Sequence, residues 1–218
     1  MARTDEGIAY IRKWIKKGLG KDGKTLDFSE RTITQEIAMD LADNVELEGL
    51  EILYLHNCQL KDPAMEELAD SVFFAPLREL WLYNNLLRGE GAKALGASSR
   101  LGNLRYLSLY GNTIDGEGAE ALANSPALTN LETLDLSFNR IGDRGAVALA
   151  GSPHLNKLTT LHLDANRIGY TGMKALAESQ CLNSLTTLNI MYNEFHPEGL
   201  ALMRESERLQ NLRMLKMD

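Results

Sequence analysis

Apolar and polar positions follow one fixed order through most of the chain. Leu131-Glu132-Thr133-Leu134-Asp135-Leu136-Ser137-Phe138-Asn139-Arg140-Ile141 reads Leu-x-x-Leu-x-Leu-x-x-Asn-x-Ile, and a small-residue segment, Gly145 to Ala150, follows it. The same line recurs one step earlier, from Leu104 to Ile114, and one step later, from Leu158 to Ile168. Alternation at period two in Leu134-Asp135-Leu136 predicts a short strand with its leucines inward. The segment after Asn139, with Leu149 inward and Ala150 beside it, predicts a helix. One such unit cannot bury its own apolar face, whereas a stack of them can.

The period extends in both directions. First leucines stand at Leu50, Leu77, Leu104, Leu131, Leu158, Leu185 and Leu212, a constant 27-residue step without insertion. Leu26, Phe28, Ile33 and Leu41 hold the same register one step earlier, so residues 25–49 read as a degenerate first repeat. Thr32 and Gln35 there suggest a capping box into a helix at 35–42. The ninth position runs Cys58, Asn85, Asn112, Asn139, Asn166, Asn193, and the column beyond it runs from Leu60 to Phe195. A buried Asn at a turn can satisfy backbone groups that the sheet leaves unpaired, so these predict a ladder with Cys58 near its end. Gly91, Gly118, Gly145, Gly172 and Gly199 open the helices, and Ser71, Ser98, Ser125, Ser152, Ser179 and Ser206 mark their ends.

Both ends of the stack look capped. Ile8, Ile11, Trp14, Ile15 and Leu19 form one face of a helix over 5–19, with Thr4 or Asp5 as N-cap and Arg12, Lys13, Lys16 and Lys17 largely opposite. It is read as a cap over 1–23 on a repeat domain spanning 24–218, rather than a membrane-surface helix. Near the other end Arg204, Glu205, Glu207 and Arg208 replace apolar and small residues, as a terminal repeat requires. Leu215 and Met217 then lie on an edge strand, where end-to-end pairing of an otherwise monomeric chain could occur.

The 27-residue motif resembles the leucine-rich repeat family, and the long period with a helix in each repeat is similar to the ribonuclease-inhibitor type. That resemblance covers about residues 24–218. It implies an α/β right-handed leucine-rich repeat solenoid, a horseshoe arc with parallel strands on the concave face and helices on the convex face. Parallel strands pack about 4.8 Å apart and helices about 10 Å, so pairing one of each per repeat curves the stack. The family binds ribonucleases, small GTPases and many other proteins through differing surface residues, so the motif specifies fold and not partner.

Composition narrows the setting. A net charge of −7 and pI near 5.2 argue against a nucleic-acid or anionic-membrane surface. No stretch resembles a signal core or a bilayer span. Cys58 and Cys181 lie more than four repeats apart, roughly 20 Å in a stack, beyond disulfide reach. A reduced, cytoplasmic protein without cofactor is the expectation.

Function is to be sought in the columns that vary between the leucines. Tyr54, Trp81, Tyr83, Tyr106 and Tyr110 fall on three consecutive strands of the expected concave face, with His56 at the rim. They are five of nine Tyr and Trp residues in the chain, and such side chains dominate protein-interface hot spots. Cross-strand packing that merely stiffens the sheet is the competing explanation. The second half of the face carries Asp135 and His162 on adjacent strands and Asp164 two residues beyond. This trio could orient a partner, hold a metal or pair as acid and base. Arg140, Arg167 and Glu194 form a column read as an exposed ion-pair ladder. No phosphate loop or nucleophile–base pair is present in the pattern. The expected function is a non-enzymatic scaffold docking a folded protein on the concave face. The alternatives are a small-GTPase regulator, implied only by the resemblance, and a metal- or ligand-dependent enzyme centred on Asp135 and His162.

Overall fold

The computed structural model describes residues 5–44, 47, 49–194 and 196–217, with the side chains of 5–8 outside the description. Thr4, the side chains of Asp5 and Ile8, and Phe195, all invoked above, therefore lie outside it, as does Asp218.

Helix α1 spans Asp5–Gly18. Strand β1 (Thr25–Asp27) and helix α2 (Gln35–Ala42) follow. Six strand–helix pairs come next: β2 (Ile52–Tyr54) and α3 (Asp62–Ala69), β3 (Glu79–Trp81) and α4 (Gly89–Ala97), β4 (Tyr106–Ser108) and α5 (Gly116–Ala123), β5 (Thr133–Asp135) and α6 (Gly142–Ala150), β6 (Thr160–His162) and α7 (Tyr170–Ala177), and β7 (Thr187–Asn189) and α8 (Pro197–Glu205). Strand β8 (Met214–Lys216) completes the described elements. The eight strands form one open parallel sheet in chain order. Every pair is in the register that the repeat step dictates, Leu26 beside Leu53 at one end and Leu188 beside Leu215 at the other.

The leucine columns fill the space between sheet and helices: Leu53, Leu80, Leu107, Leu134, Leu161 and Leu188 are all at 0% exposure. The helices pack in sequence order against their neighbours. Their close approach explains the glycine column. A Cβ on Gly118 would stand 2.9 Å from the Ala92 Cβ, and one on Gly172 would stand 2.9 Å from the Ala146 Cβ. In α1, Ile11 and Ile15 are buried, and just past it Leu19 forms an antiparallel bridge with Leu26 of β1.

The asparagine ladder is present and reciprocal. The Asn139 side-chain N–H groups donate to the carbonyls of Leu109 and Leu136 at 2.9 Å each, and its Oδ1 accepts the Ile114 N–H at 2.9 Å. Asn85 reaches back likewise, accepting the N–H groups of Cys58 and Leu60. Cys58 ends the series, donating its thiol to the Phe28 carbonyl at 3.3 Å. The serine column makes a second ladder: Ser71, Ser98, Ser152, Ser179 and Ser206 donate to the carbonyls of Ala42, Ala69, Ala123, Ala150 and Ala177. Ser125 breaks it, its hydroxyl buried without a hydrogen-bond partner.

Two local expectations are corrected. The cap of α2 is Thr34, whose hydroxyl accepts the Ile37 N–H at 3.3 Å, not Thr32. Ile33 is drawn into the core, which leaves the extended residue after it to start the helix. Arg140, Arg167 and Glu194 make no ion pair with one another among the described residues. Like charges at Arg140 and Arg167 repel in one column, and the ladder of ion pairs stands on the opposite edge, where Glu51 meets Lys24 and Arg78, and Glu132 meets Arg105.

Candidate functional site

Because each strand is only three residues long, its central leucine points into the core and its flanking residues point to the opposite, open face. The third varying column, Ser29, His56, Tyr83, Tyr110, Ser137, Asp164 and Met191, lies two residues past each strand, next to a turn. There the chain turns through a left-handed residue once per repeat: Glu30, Asn57, Asn84, Gly111, Phe138, Ala165 and Tyr192 all have φ between +53° and +64°. That turn aims the next residue, Cys58 or one of the Asn series, into the ladder and leaves its own side chain at the rim. Asn and Gly accept such a backbone readily, whereas Phe138 and Tyr192 do so at a cost of roughly 1–2 kcal/mol.

The rings predicted to share the face do meet. Trp81 lies against Tyr106 at 4.1 Å between centroids and an interplanar angle of 29°, and against Tyr54 at 5.6 Å. Tyr83 stacks on His56 at 4.2 Å and 9° and stands edge-on to Trp81 at 6.4 Å. His56 also meets Tyr54 at 6.2 Å, so five rings close into one cluster over β2, β3 and β4. All five are half-buried rather than fully solvated, because each covers part of the next. Tyr110 stands apart from these contacts and meets Phe138 at 5.0 Å. Phe138, 45% exposed, adds to this aromatic surface and was not among the residues that column reading singled out. Its signal was an aromatic where the neighbouring repeats carry Asn84, Gly111 and Ala165.

Carboxylates surround the rings. Glu79 accepts the Trp81 indole N–H at 3.1 Å. Asp27 accepts both the backbone N–H and the hydroxyl of Ser29. Burial works to raise the Asp27 pKa, but the Ser29 bonds together with the nearby His56 and Arg31 outweigh it and lower the carboxyl below its ordinary value. Burial, then Glu79 and Asp27, push the Tyr54 phenol up. Burial, then Asp135, push Tyr106 up to about 12. Both phenols are therefore neutral hydrogen-bonding groups at neutral pH. The His56 Nδ1 is buried without a hydrogen-bond partner.

Asp135 and His162 are register partners on β5 and β6, as the spacing required. Their side chains form no ion pair. Asp135 instead accepts the Ser137 N–H at 2.9 Å, and Asp164 accepts the Ser137 hydroxyl at 2.7 Å. Ser137 thereby locks both carboxylates across two strands. Among the described residues no group of three or more His, Cys, Asp or Glu side chains is placed to hold a metal ion. No described helix is long and apolar enough to cross a membrane.

Comparison with known proteins agrees with this architecture. Residues 103–123, 127–150, 154–177 and 181–203 match the profile of the Leucine Rich repeat family. No curated protein matches the chain in sequence. Among solved structures, an internalin (inlF) from Listeria monocytogenes aligns with a TM-score of 0.54 at 20% identity, over 89% of this chain and 53% of that one. A plant ice-binding protein aligns with a TM-score of 0.54 at 18% identity, over 100% of this chain and 80% of that one. The PEPR1–AtPEP1 structure aligns with a TM-score of 0.51 at 22% identity, over 89% of this chain and 25% of that one. At these identities the likeness establishes the fold, a leucine-rich repeat solenoid. The chain spans about half the length of the internalin it matches.

Proposed function

We propose that the chain is a non-catalytic scaffold that docks a folded protein partner on the open face of its sheet. The observation that carries this reading is the five-ring cluster of Tyr54, His56, Trp81, Tyr83 and Tyr106 on a face the core does not need. The leucine columns already bury the interior, and none of these rings belongs to the buried core. Rings fixed against one another lose little entropy on binding, which favours them as anchors. Tyr110 and Phe138 extend the patch, and Asp135, His162 and Asp164 set its orientation and specificity. The 27-residue period with a helix in each repeat supports the ribonuclease-inhibitor type. The unpaired cysteines Cys58 and Cys181 support a cytoplasmic setting, with the chain a monomer unless its β8 edge pairs end to end.

Affinity capture with the native chain and with a Trp81→Ala/Tyr83→Ala variant tests this. A partner bound by the first and released at least about 30-fold more readily by the second supports it, that being the cost of losing a hot spot. Unchanged affinity, with the variant's thermal unfolding intact, would sink the reading.

A further inference from the structure

The open face has a charge character that the chain's overall acidity does not explain. Its three varying columns, which start at Thr25, Asp27 and Ser29 and recur every 27 residues over β1 to β7, contain no Lys or Arg. They contain four carboxylates, Asp27, Glu79, Asp135 and Asp164. Basic residues are instead kept to other surfaces: Lys24, Arg78 and Arg105 sit in ion pairs at the edge before the strands, and Arg31 turns its guanidinium onto the Trp14 ring of the cap, 4.1 Å away.

Each of the four carboxylates is held by one oxygen and offers the other. Glu79 uses Oε2 for the Trp81 indole, while Asp27, Asp135 and Asp164 use Oδ1 for Ser29 or Ser137. No hydrogen bond to the second oxygen of any of them occurs among the described residues. Pre-oriented acceptors with free lone pairs, around aromatic faces, suit a planar cation better than any other side chain. A guanidinium can stack on Trp81 or Tyr106 while its N–H groups reach a carboxylate, and the ring faces attract the same charge.

From this juxtaposition we infer that the open face takes a basic, arginine-bearing segment of a protein partner, with a guanidinium laid on the Trp81–Tyr106 stack between Glu79 and Asp135. Those two carboxylates lie two strands apart, roughly 10 Å at the backbone, on either side of Tyr106. The closeness of both to the Tyr106 phenol is also what helps to keep it protonated. The inference rests on the protein-docking reading and specifies the chemistry of what docks.

The test is an NMR titration of the full chain with a capped Gly-Arg-Gly-Arg-Gly peptide, following the indole N–H signals of Trp14 and Trp81. Parallel titrations use the citrulline peptide, which is the same shape without charge, and the lysine peptide. Expected are a shift at Trp81 and not at Trp14, binding at least tenfold weaker for citrulline, and Lys weaker than Arg. Glu79→Gln with Asp135→Asn should weaken Arg binding at least tenfold, whereas Glu194→Gln with Glu198→Gln, equal in charge but off this face, should leave it unchanged. Equal binding of citrulline, or equal loss from the off-face pair, overturns the inference while a persisting Trp81 shift keeps the docking reading alive. A Trp81 signal that no peptide moves overturns the inference; the docking reading then stands or falls on capture with Trp81→Ala/Tyr83→Ala.

Discussion

The Trp81 indole lies on the Tyr106 ring at 4.1 Å although the two residues are not cross-strand partners: Trp81 is beside Ser108, and Tyr106 is beside Glu79. The contact is diagonal, a separation that large aromatic side chains can bridge across neighbouring strands. It brings the Tyr106 phenol under cover and next to two carboxylates.

That environment gives Tyr106 a distinct titration. Its pKa is about 12 in the folded chain and about 10 when unfolded, so the native state holds its proton more tightly. Stability is independent of this group below pH 10 and declines as pH rises from about 10 to 12. Tyr54 is also pushed up, so the check is specific to the last phenol to titrate: Tyr106→Phe should remove it from the tyrosinate absorbance curve, and the variant should unfold less steeply with alkali.

Asn139 satisfies four backbone groups in two repeats, the fourth being the Ser137 carbonyl at 3.2 Å. Replacing it with Ala leaves buried donors and acceptors unpaired, each worth about 1–3 kcal/mol. Asn139→Ala should therefore lose roughly 3–5 kcal/mol in urea unfolding. A loss under about 1 kcal/mol would show the ladder to be energetically idle.

Phe138 holds φ at +56° where two neighbouring repeats use Asn84 and Gly111. Phe138→Gly relieves that backbone and should raise the unfolding free energy by up to about 1 kcal/mol. It removes the exposed ring from Tyr110, so partner affinity should fall. Gain in stability with loss of binding is the signature of a residue kept for its surface.

Gly96 lets α4 approach α5 so closely that a Cβ would stand 2.6 Å from the Ala121 carbonyl oxygen. Ala favours helix by about 1 kcal/mol over Gly, but forcing two backbones apart costs about 1–3 kcal/mol. Gly96→Ala should be net destabilising in thermal unfolding, unlike Gly→Ala at an open helical site.

The two thiols should differ in reactivity. Cys58 is fully buried, and burial raises its pKa to about 11, whereas Cys181 is half-buried. At pH 8 a maleimide should label Cys181 and leave Cys58 unlabelled until the chain unfolds. Rapid native labelling of both would contradict the packing around Cys58.

The amino-acid order alone determined the repeat, its constant register, the inward leucines, the Asn ladder and the columns that share a face. Those follow from translation: once one repeat's periodicity is known, stacking fixes which residues stand side by side, as Asp135 and His162 do. What only the tertiary structure decided is where side chains with several options turn. Ser137 binds Asp135 and Asp164, and of the roles open to Asp135 and His162 an ion pair between the two is not formed. Arg31, one repeat step before Cys58, lays its guanidinium on Trp14, and Phe138 takes a left-handed backbone and meets Tyr110. Each choice is a competition among partners that mostly belong to different repeats, and its outcome depends on distances and burial that no local pattern contains.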